Sequence, residues 1–427
     1  MYERRAISTD HQRRLLPAFV RVFAVRYNLI FLSDTYSMKN KRSGGIVAAL
    51  CAVSMAAGIF CSFGFAKAEV PAGIVKGCKS AYLMDFDSGE CIYKLNERQR
   101  MPIASVCKVM TLNLCFDAVE AGKVSLDDEV QISANASGMG GSQVYLECGY
   151  SYPLSELVKS IVVCSANDSC VAVAEKISGS EEQFVAEMNR KAEVLGLSDT
   201  LFSNCTGLPK ETQYSCAADV AAMFAELLKH DEYFAFSKIW LEDFAHGNGK
   251  TISMTNTNKL IRRYNGCDGG KTGYTGEAGF CLASTAVRDN MRLVSAVLGG
   301  DTSENRFASA SSMFDYGFAN YKNRIVLDKT VALNEEFSVR GGKKSCYAVL
   351  PEENCYIFGK KDEEPDITFE VCDDSVKAPV AKGQKVGTIQ VYRDGVLIKS
   401  VNVVSAEDVR RASYADRIRE VSDGWDM

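Results

Sequence analysis

The chain has 427 residues, 47% hydrophobic and 24% charged, with a formal net charge of −5. That composition excludes a disordered, collagenous or disulfide-miniprotein chain and leaves room for two domains or one large one. The charge is divided: residues 1–68 hold ten Lys+Arg against three Asp+Glu, or +7, and the other 359 hold 39 against 51, or −12, which argues against non-specific nucleic-acid binding by that acidic body.

The basic part reads as targeting sequence. Residues 44–65 form the one stretch apolar enough to enter a bilayer, 22 residues without a charge, preceded by Met38, Lys39, Lys41 and Arg42 and followed by Ala66-Lys67-Ala68. A positive n-region, an apolar h-region and a small-x-small site in that order predict a Sec-type signal peptide at 38–68, cleaved after Ala68; an uncleaved transmembrane anchor is the competing reading. Because Met38 occupies the usual start of such a peptide, residues 1–37 are read as an over-called N-terminus. The expected location is extracytoplasmic, in the cell wall or on the outer face of the cytoplasmic membrane.

Of sixteen cysteines, Cys51 and Cys61 lie in the leader and fourteen in the body. No C-x-x-C pair occurs and the chain has three histidines, so zinc-site spacings are missing and no metal or other cofactor is expected. Many cysteines, Cys115, Cys164, Cys170 and Cys281 among them, sit inside apolar runs, which predicts mostly free, buried thiols.

In chain order, the body opens with strands at 81–86 and 91–95 around the turn Asp87-Ser88-Gly89. A helix follows Pro102 and exits at Ala121-Gly122, and helical periodicity returns at 154–163, 170–177, 184–195 and 217–228. Strands are expected at 269–274, 280–287 and 291–298, the last two joined by a tight turn at 288–290. One sheet with helices between its first and last strands is the simplest assembly. From 323 the texture changes to short strands at 324–327, 346–349, 355–358, 367–371, 385–392 and 396–404, which predicts a separate β-domain over 323–404. Residues 405–427 read as a charged, weakly amphipathic tail.

Three short motifs carry chemistry. Ser105-Val106-Cys107-Lys108 is the one S-x-x-K in the chain; at the mouth of a helix the i to i+3 spacing puts Lys108 on the face of Ser105, a hydroxyl with a base in reach. The bland reading, an N-cap serine with an exposed lysine, is the commoner one for such a match taken alone. Ser165-Ala166-Asn167 is one of four S-x-N matches, chosen because it ends the apolar run 161–164. Lys271-Thr272-Gly273 occurs once, on an expected strand where Gly269, Gly270 and Gly273 would admit another backbone; an edge strand guarded by a lysine is the alternative.

Together these are the S-x-x-K, S-x-N and K-T-G motifs of serine penicilloyl enzymes. The chain resembles the low-molecular-weight penicillin-binding proteins, the serine-type D-alanyl-D-alanine carboxypeptidases, over residues 78–318, including 184–208, 256–260, 268–275 and 315–318, and the stretch ending at 387–392 resembles their second domain. The resemblance implies an α+β fold, a penicillin-binding/β-lactamase-like catalytic domain (69–322, an antiparallel sheet flanked by helices) followed by a small all-β, sandwich-like domain. It implies removal of the terminal D-alanine from a peptidoglycan stem pentapeptide through an acyl-enzyme on Ser105, with β-lactams as covalent inhibitors. Lys108 would be the base, Ser165 a proton relay and Asn167 an orienting amide. Lys271, Thr272, Gly273 and Tyr274 would bind substrate, with backbone N–H groups of Ser105 and Tyr274 as oxyanion donors and Arg306 as a second partner for the terminal carboxylate. Cys107 inside the first motif and the charged tail depart from the family pattern, and the tail leaves peripheral membrane contact open.

A class A β-lactamase would need a Glu-x-x-Leu-Asn between Ser165 and Lys271, which does not occur. A catalytically weak penicillin-binding sensor is disfavoured by intact Ser105, Lys108 and Lys271. G-x-S-x-G and H-E-x-x-H are both missing.

Overall fold

The computed structural model describes residues 73–334, 336–416 and 418. The expected leader and the end of the expected tail lie outside them. The body begins with the hairpin β1 (Ser80–Asp85) and β2 (Cys91–Leu95). A 3₁₀ turn (Ala104–Cys107) runs into α1 (Lys108–Glu120), followed by α2 (Leu154–Val163), α3 (Asn167–Ser178), α4 (Glu181–Val194) and α5 (Ala217–Leu227). The chain then returns to strands β3 (Cys267–Thr275), β4 (Gly279–Arg288) and β5 (Met291–Gly300) and ends the domain with α6 (Ser303–Asn320).

These five strands form one antiparallel sheet in the order β2-β1-β5-β4-β3, so the first strand of the body lies beside the last and β3 is left at an edge. Asp289 and Asn290, at φ 48° and 60°, close the β4–β5 hairpin as the two left-handed residues of a tight turn. The sheet divides two apolar layers. Against one face α1 is buried on nearly every side, Val109, Met110, Leu112 and Phe116 meeting Ile161, Val171 and Phe224. Against the other, Leu83 and Leu293 meet Met313 and Phe314 of α6.

Helix α6 is absent from the periodicity reading. Its apolar stripe, Phe307, Ala310, Met313 and Phe314, is interrupted by serines, but Thr302 caps it by accepting from the Asn305 N–H at 3.1 Å. A surface hairpin, Leu241–Ala245 with Thr251–Thr255, is likewise additional.

The β-domain holds β6 (Tyr321–Leu327), β7 (Glu336–Ser338), β8 (Cys346–Pro351), β9 (Cys355–Lys360), β10 (Ile367–Asp373), β11 (Lys385–Arg393) and β12 (Val396–Ser405). A five-stranded sheet, β7-β8-β12-β11-β10, and the pair β6-β9 enclose Val349, Ile357, Val386, Val391, Val401 and Val403. The expected start at 323 falls inside β6. The expected end at 404 is also too early: Val409 is buried in this core and pairs with Val380, and Arg411 pairs with Gly342, so the strand-like pairing continues into the expected tail. No helix among the described residues is long and apolar enough to cross a membrane.

Between the β1–β2 hairpin and the β-domain lies a cavity of about 600 Å³, lined by Asp85, Asp87, Glu90, Asn323, Arg393 and Lys399 among others. The buried Asp85 carboxylate accepts from the Ser88 N–H and hydroxyl, each at 2.8 Å, through Oδ2, while Oδ1 has no partner. Burial pushes its carboxyl up to about 6, against the two N–H and O–H bonds and with help from Asp87 and Glu90. A carboxyl raised in the fold above its unfolded value is favoured when protonated, so its penalty is absent at low pH, grows between the unfolded value of 3.8 and about 6, and levels off at about 3 kcal/mol above that. Asp85→Asn should therefore stabilise the protein by about 1–3 kcal/mol at pH 7.5 and give no gain near pH 4 in denaturant titrations. An equal gain at both pH values would show that the ionised carboxylate is not the source.

Candidate active site

The site lies where the 3₁₀ turn, the start of α3, edge strand β3 and the loop after α4 meet. Ser105 is the partly exposed residue of a turn otherwise buried, and the preceding Ala104 holds φ at 48°, an uncommon value for a residue with a side chain. The turn presses on β3: a Cβ at Gly273 would stand 2.7 Å from the Ile103 carbonyl and 3.0 Å from the Ser105 nitrogen. This is the close backbone approach expected of that glycine.

Lys108, fully buried one turn along, has three partners. Its Nζ lies 2.9 Å from Ser105 Oγ, 2.7 Å from Asn167 Oδ1 and 2.5 Å from the Thr206 carbonyl. Asn167 presents its oxygen because its Nδ2 donates to the Gly140 carbonyl at 2.7 Å. A neutral amine has two N–H bonds and one lone pair, and the two carbonyl oxygens can only accept. Both N–H bonds are thereby engaged, and the lone pair is left facing Ser105.

Lys271 is buried from the opposite side. Its Nζ donates to Ser165 Oγ at 2.8 Å and to the Thr272 carbonyl at 2.9 Å. Ser165 itself sits at φ 66°, a strained left-handed position for a serine at the junction of α2 and α3. Among the described residues no carboxylate bonds either lysine. Burial holds Lys108 below the usual lysine value, and burial first, then the neighbouring Lys108, holds Lys271 well below it.

Thr272 is buried beside Lys271, while Tyr274 is exposed at the rim and stacks on Phe280 at 4.3 Å. Arg306, expected as a second partner for the terminal carboxylate, lies directly behind the strand that carries Lys271 and Thr272. It is buried beneath β3, where Nη1 donates to the Gly273 and Cys281 carbonyls at 3.0 and 3.1 Å and Nε has no partner. Cys107 turns away from the nucleophile: its thiol donates to the Asn204 carbonyl at 3.3 Å, and burial pushes it up to about 12, so it is a neutral packing group.

Three contributors escaped the motif reading. The Thr206 carbonyl acts through its main chain, so no side-chain pattern marks it. The Gly140 carbonyl sits in a glycine-rich loop, 138–149, that has no periodicity. Asp168, buried next to Asn167, accepts from the N–H groups of Val144 (3.1 Å), Leu146 (3.0 Å) and Ser169 (2.9 Å) and so ties that loop to α3. One other cluster, Asp199, Cys216 and Asp219, has metal-ligand spacing. Arg98 pairs with Asp219 at 2.7 Å, and the Cys216 thiol, pushed by burial up to about 11, caps α5, so the cluster is accounted for as an ion pair and a helix cap.

This geometry has counterparts. The D-alanyl-D-alanine carboxypeptidase family model matches residues 68–302, and that of the penicillin-binding protein 5 C-terminal domain matches 321–411. The chain belongs to the D-alanyl-D-alanine carboxypeptidase family. It is a serine-type carboxypeptidase hydrolase by that membership. D-alanyl-D-alanine carboxypeptidase DacF of Bacillus subtilis is 38% identical over 81% of this chain and 90% of its own. DacA of Haemophilus influenzae is 32% identical over 79% and 86%. Among solved structures, a peptidoglycan synthesis regulatory factor (PBP3) from Streptococcus pneumoniae superposes with a TM-score of 0.68 at 27% identity, covering 78% of this chain and 99% of that one. Penicillin-binding protein 5 of Haemophilus influenzae gives 0.61 at 31%, covering 78% and 98%. The expected α+β fold with a C-terminal β-domain is thus the family's fold.

Proposed function

We propose that this carboxypeptidase removes the terminal D-alanine of a peptidoglycan stem pentapeptide, with Ser105 as nucleophile and Lys108 as its base. The observation that carries the assignment is Lys108 Nζ 2.9 Å from Ser105 Oγ with two carbonyl oxygens as its other partners, so that in the neutral amine the lone pair is the group left for the Ser105 proton. Ser105 Oγ bonds to the penultimate D-alanine carbonyl carbon as its proton passes to Nζ, and the oxyanion is met by the backbone N–H groups of Ser105 and Tyr274. Collapse breaks the C–N bond. Because Ser165 Oγ accepts from Lys271, its own O–H is directed away from that amine and can protonate the departing nitrogen; Lys271 restores the serine proton and the proton taken up by Lys108 replaces the one Lys271 gave, so both amines regain their starting states before water attacks. Water hydrolyses the ester with Lys108 again as base. Thr272 and the Lys271 amine offer hydrogen-bond donors to the terminal carboxylate; Arg306, behind Gly273, fixes the strand that presents them.

The same chain is proposed to be exported by the segment 38–68 and to act on the wall from outside, with consequences for cell shape. The n-region, h-region and Ala-x-Ala order support this, as does a substrate that lies outside the membrane. The charged residues 405–427 support at most peripheral membrane contact. Intact mass of the protein recovered from its own cell, before and after penicillin, combined with D-alanine release from a pentapeptide, tests both parts. The expected results are a mature chain starting at Glu69, one acyl adduct per chain and D-alanine release that Ser105→Ala abolishes. An acyl adduct without D-alanine release would replace the enzyme reading with that of a penicillin-binding sensor.

A further inference from the structure

The turn that offers the Thr206 carbonyl to Lys108 is organised by one side chain. Asn204 Oδ1 accepts from the Gly207 N–H at 2.7 Å, the Thr206 N–H at 3.2 Å and the Thr206 hydroxyl at 3.2 Å, and its Nδ2 donates to the Leu208 carbonyl at 2.9 Å. Gln213, itself buried, holds the entry to the turn by accepting from the N–H groups of Ser203 at 2.8 Å and Asn204 at 3.0 Å. This is an Asx-type turn, in which the side chain substitutes for main-chain partners.

The turn touches the reacting groups twice. Its Thr206 carbonyl lies 2.5 Å from Lys108 Nζ. Its Gly207, at φ 80°, leans so close to the nucleophile turn that a Cβ there would fall 2.1 Å from the Ala104 carbonyl. We propose that Asn204 is a positioning residue for the catalytic base: by locking the 204–207 turn it holds the Thr206 carbonyl on one N–H of Lys108 and so keeps the amine's lone pair on Ser105. The inference rests on the reading of Lys108 as the base. With the carbonyl free to swing, Nζ could rotate and present an N–H to Ser105 instead, which leaves the nucleophile without an acceptor for its proton.

The test compares wild type, Asn204→Ala and Asn204→Ser by acylation with a fluorescent penicillin and by pentapeptide turnover, each normalised to the sites titrated at the end point. Asn204→Ala is expected to acylate at least about tenfold more slowly per active site, with the loss in kcat rather than KM. The acidic limb of its pH profile should move to higher pH, because a loosened turn lets water reach Nζ and relaxes the burial that depresses it. Serine offers one short acceptor where the asparagine oxygen serves four donors, Gln213 Nε2 at 3.3 Å being the fourth, so Asn204→Ser should fall between alanine and wild type, and it decides the question if the alanine variant does not fold. A merely structural role would lower the titratable fraction and leave rate and limb unchanged. Wild-type rate and limb in either soluble variant would overturn the proposal. Lys108→Met in the same assay separates the two levels: unimpaired acylation there sinks the base assignment itself, whereas a silent Lys108→Met beside a normal Asn204→Ala sinks only the positioning role.

Discussion

Lys108→Met should reduce acylation of Ser105 by roughly 10²–10⁴-fold, the range of a lost general base, without unfolding the protein. Methionine follows the same channel between Asn167 and Thr206 with an unbranched apolar chain. Lys108 is fully buried with no carboxylate partner, and its ionised form is disfavoured in the fold. A lysine depressed in the fold below its unfolded value takes up its proton at a loss, so the stability it withholds is greatest at low pH and recovers as pH rises through the depressed value. The methionine variant should accordingly equal or exceed wild type in Tm, with the larger margin at acid pH. Lys108→Arg sharpens the test: guanidinium keeps the charge but has no lone pair near neutrality, so it should be as inactive as methionine if proton transfer is the role. In wild type kcat/KM should climb with pH along a limb below the ordinary lysine range, and both variants should lose that limb. Arginine with near-normal acylation would assign Lys108 an electrostatic task instead.

The second large effect is expected at Gly207. An alanine there must adopt φ near 80° and place its methyl 2.1 Å from the Ala104 oxygen and 2.9 Å from the Ser105 nitrogen. The left-handed backbone alone costs about 1–2 kcal/mol, and the overlap is with backbone on both sides, which cannot rotate out of the way. Gly207→Ala should therefore lose about 2–4 kcal/mol of stability and acylate on the order of 100-fold more slowly, since displacing a nucleophile by about 1 Å is enough for that. Gly249, at φ 83° with nothing within 4 Å of a built Cβ, supplies the control. Gly249→Ala carries the same backbone strain in an exposed hairpin and should lose about 1 kcal/mol with activity intact. Identical behaviour of the two in urea titration and acylation would mean that the contact with Ala104 is not held in solution.

How far these residues could be foreseen depends on whether they act through side chains. Ser105, Lys108, Ser165, Asn167 and Lys271 converge through side-chain hydrogen bonds, and spacing plus resemblance pointed to all five. Strands β1 to β5 were legible because period-2 apolar runs end in turn residues such as Asp289 and Asn290. Helix α6 was not, because serines and a glycine fall across its stripe and its burial comes from Leu83 and Leu293, far away in the chain. The carbonyls of Thr206 and Gly140 are the same in every sequence, so only the fold reveals that they face Lys108 and Asn167. Arg306 was named for its charge, and its seat among Phe280, Phe307 and the carbonyls of Gly273 and Cys281 is something only the fold reveals.

The fourteen described cysteines are all free thiols, eight of them buried, among them Cys107, Cys170 and Cys205 around the base. In the native state burial pushes Cys107 and Cys170 up to about 12 and raises Cys205 well above the ordinary thiol value, so their sulfurs are protonated and shielded from exchange. The unfolded chain has no such protection, and its thiols ionise at ordinary values, where oxidants and mixed disulfides find them. Were the chain to fold in an oxidising medium, collapse of the core around α1 would compete with cross-linking of the open chain. A single premature bridge to Cys107 would bar Lys108 from its seat, so under oxidising conditions the fraction of competent enzyme would be decided in the time before the sheet closes.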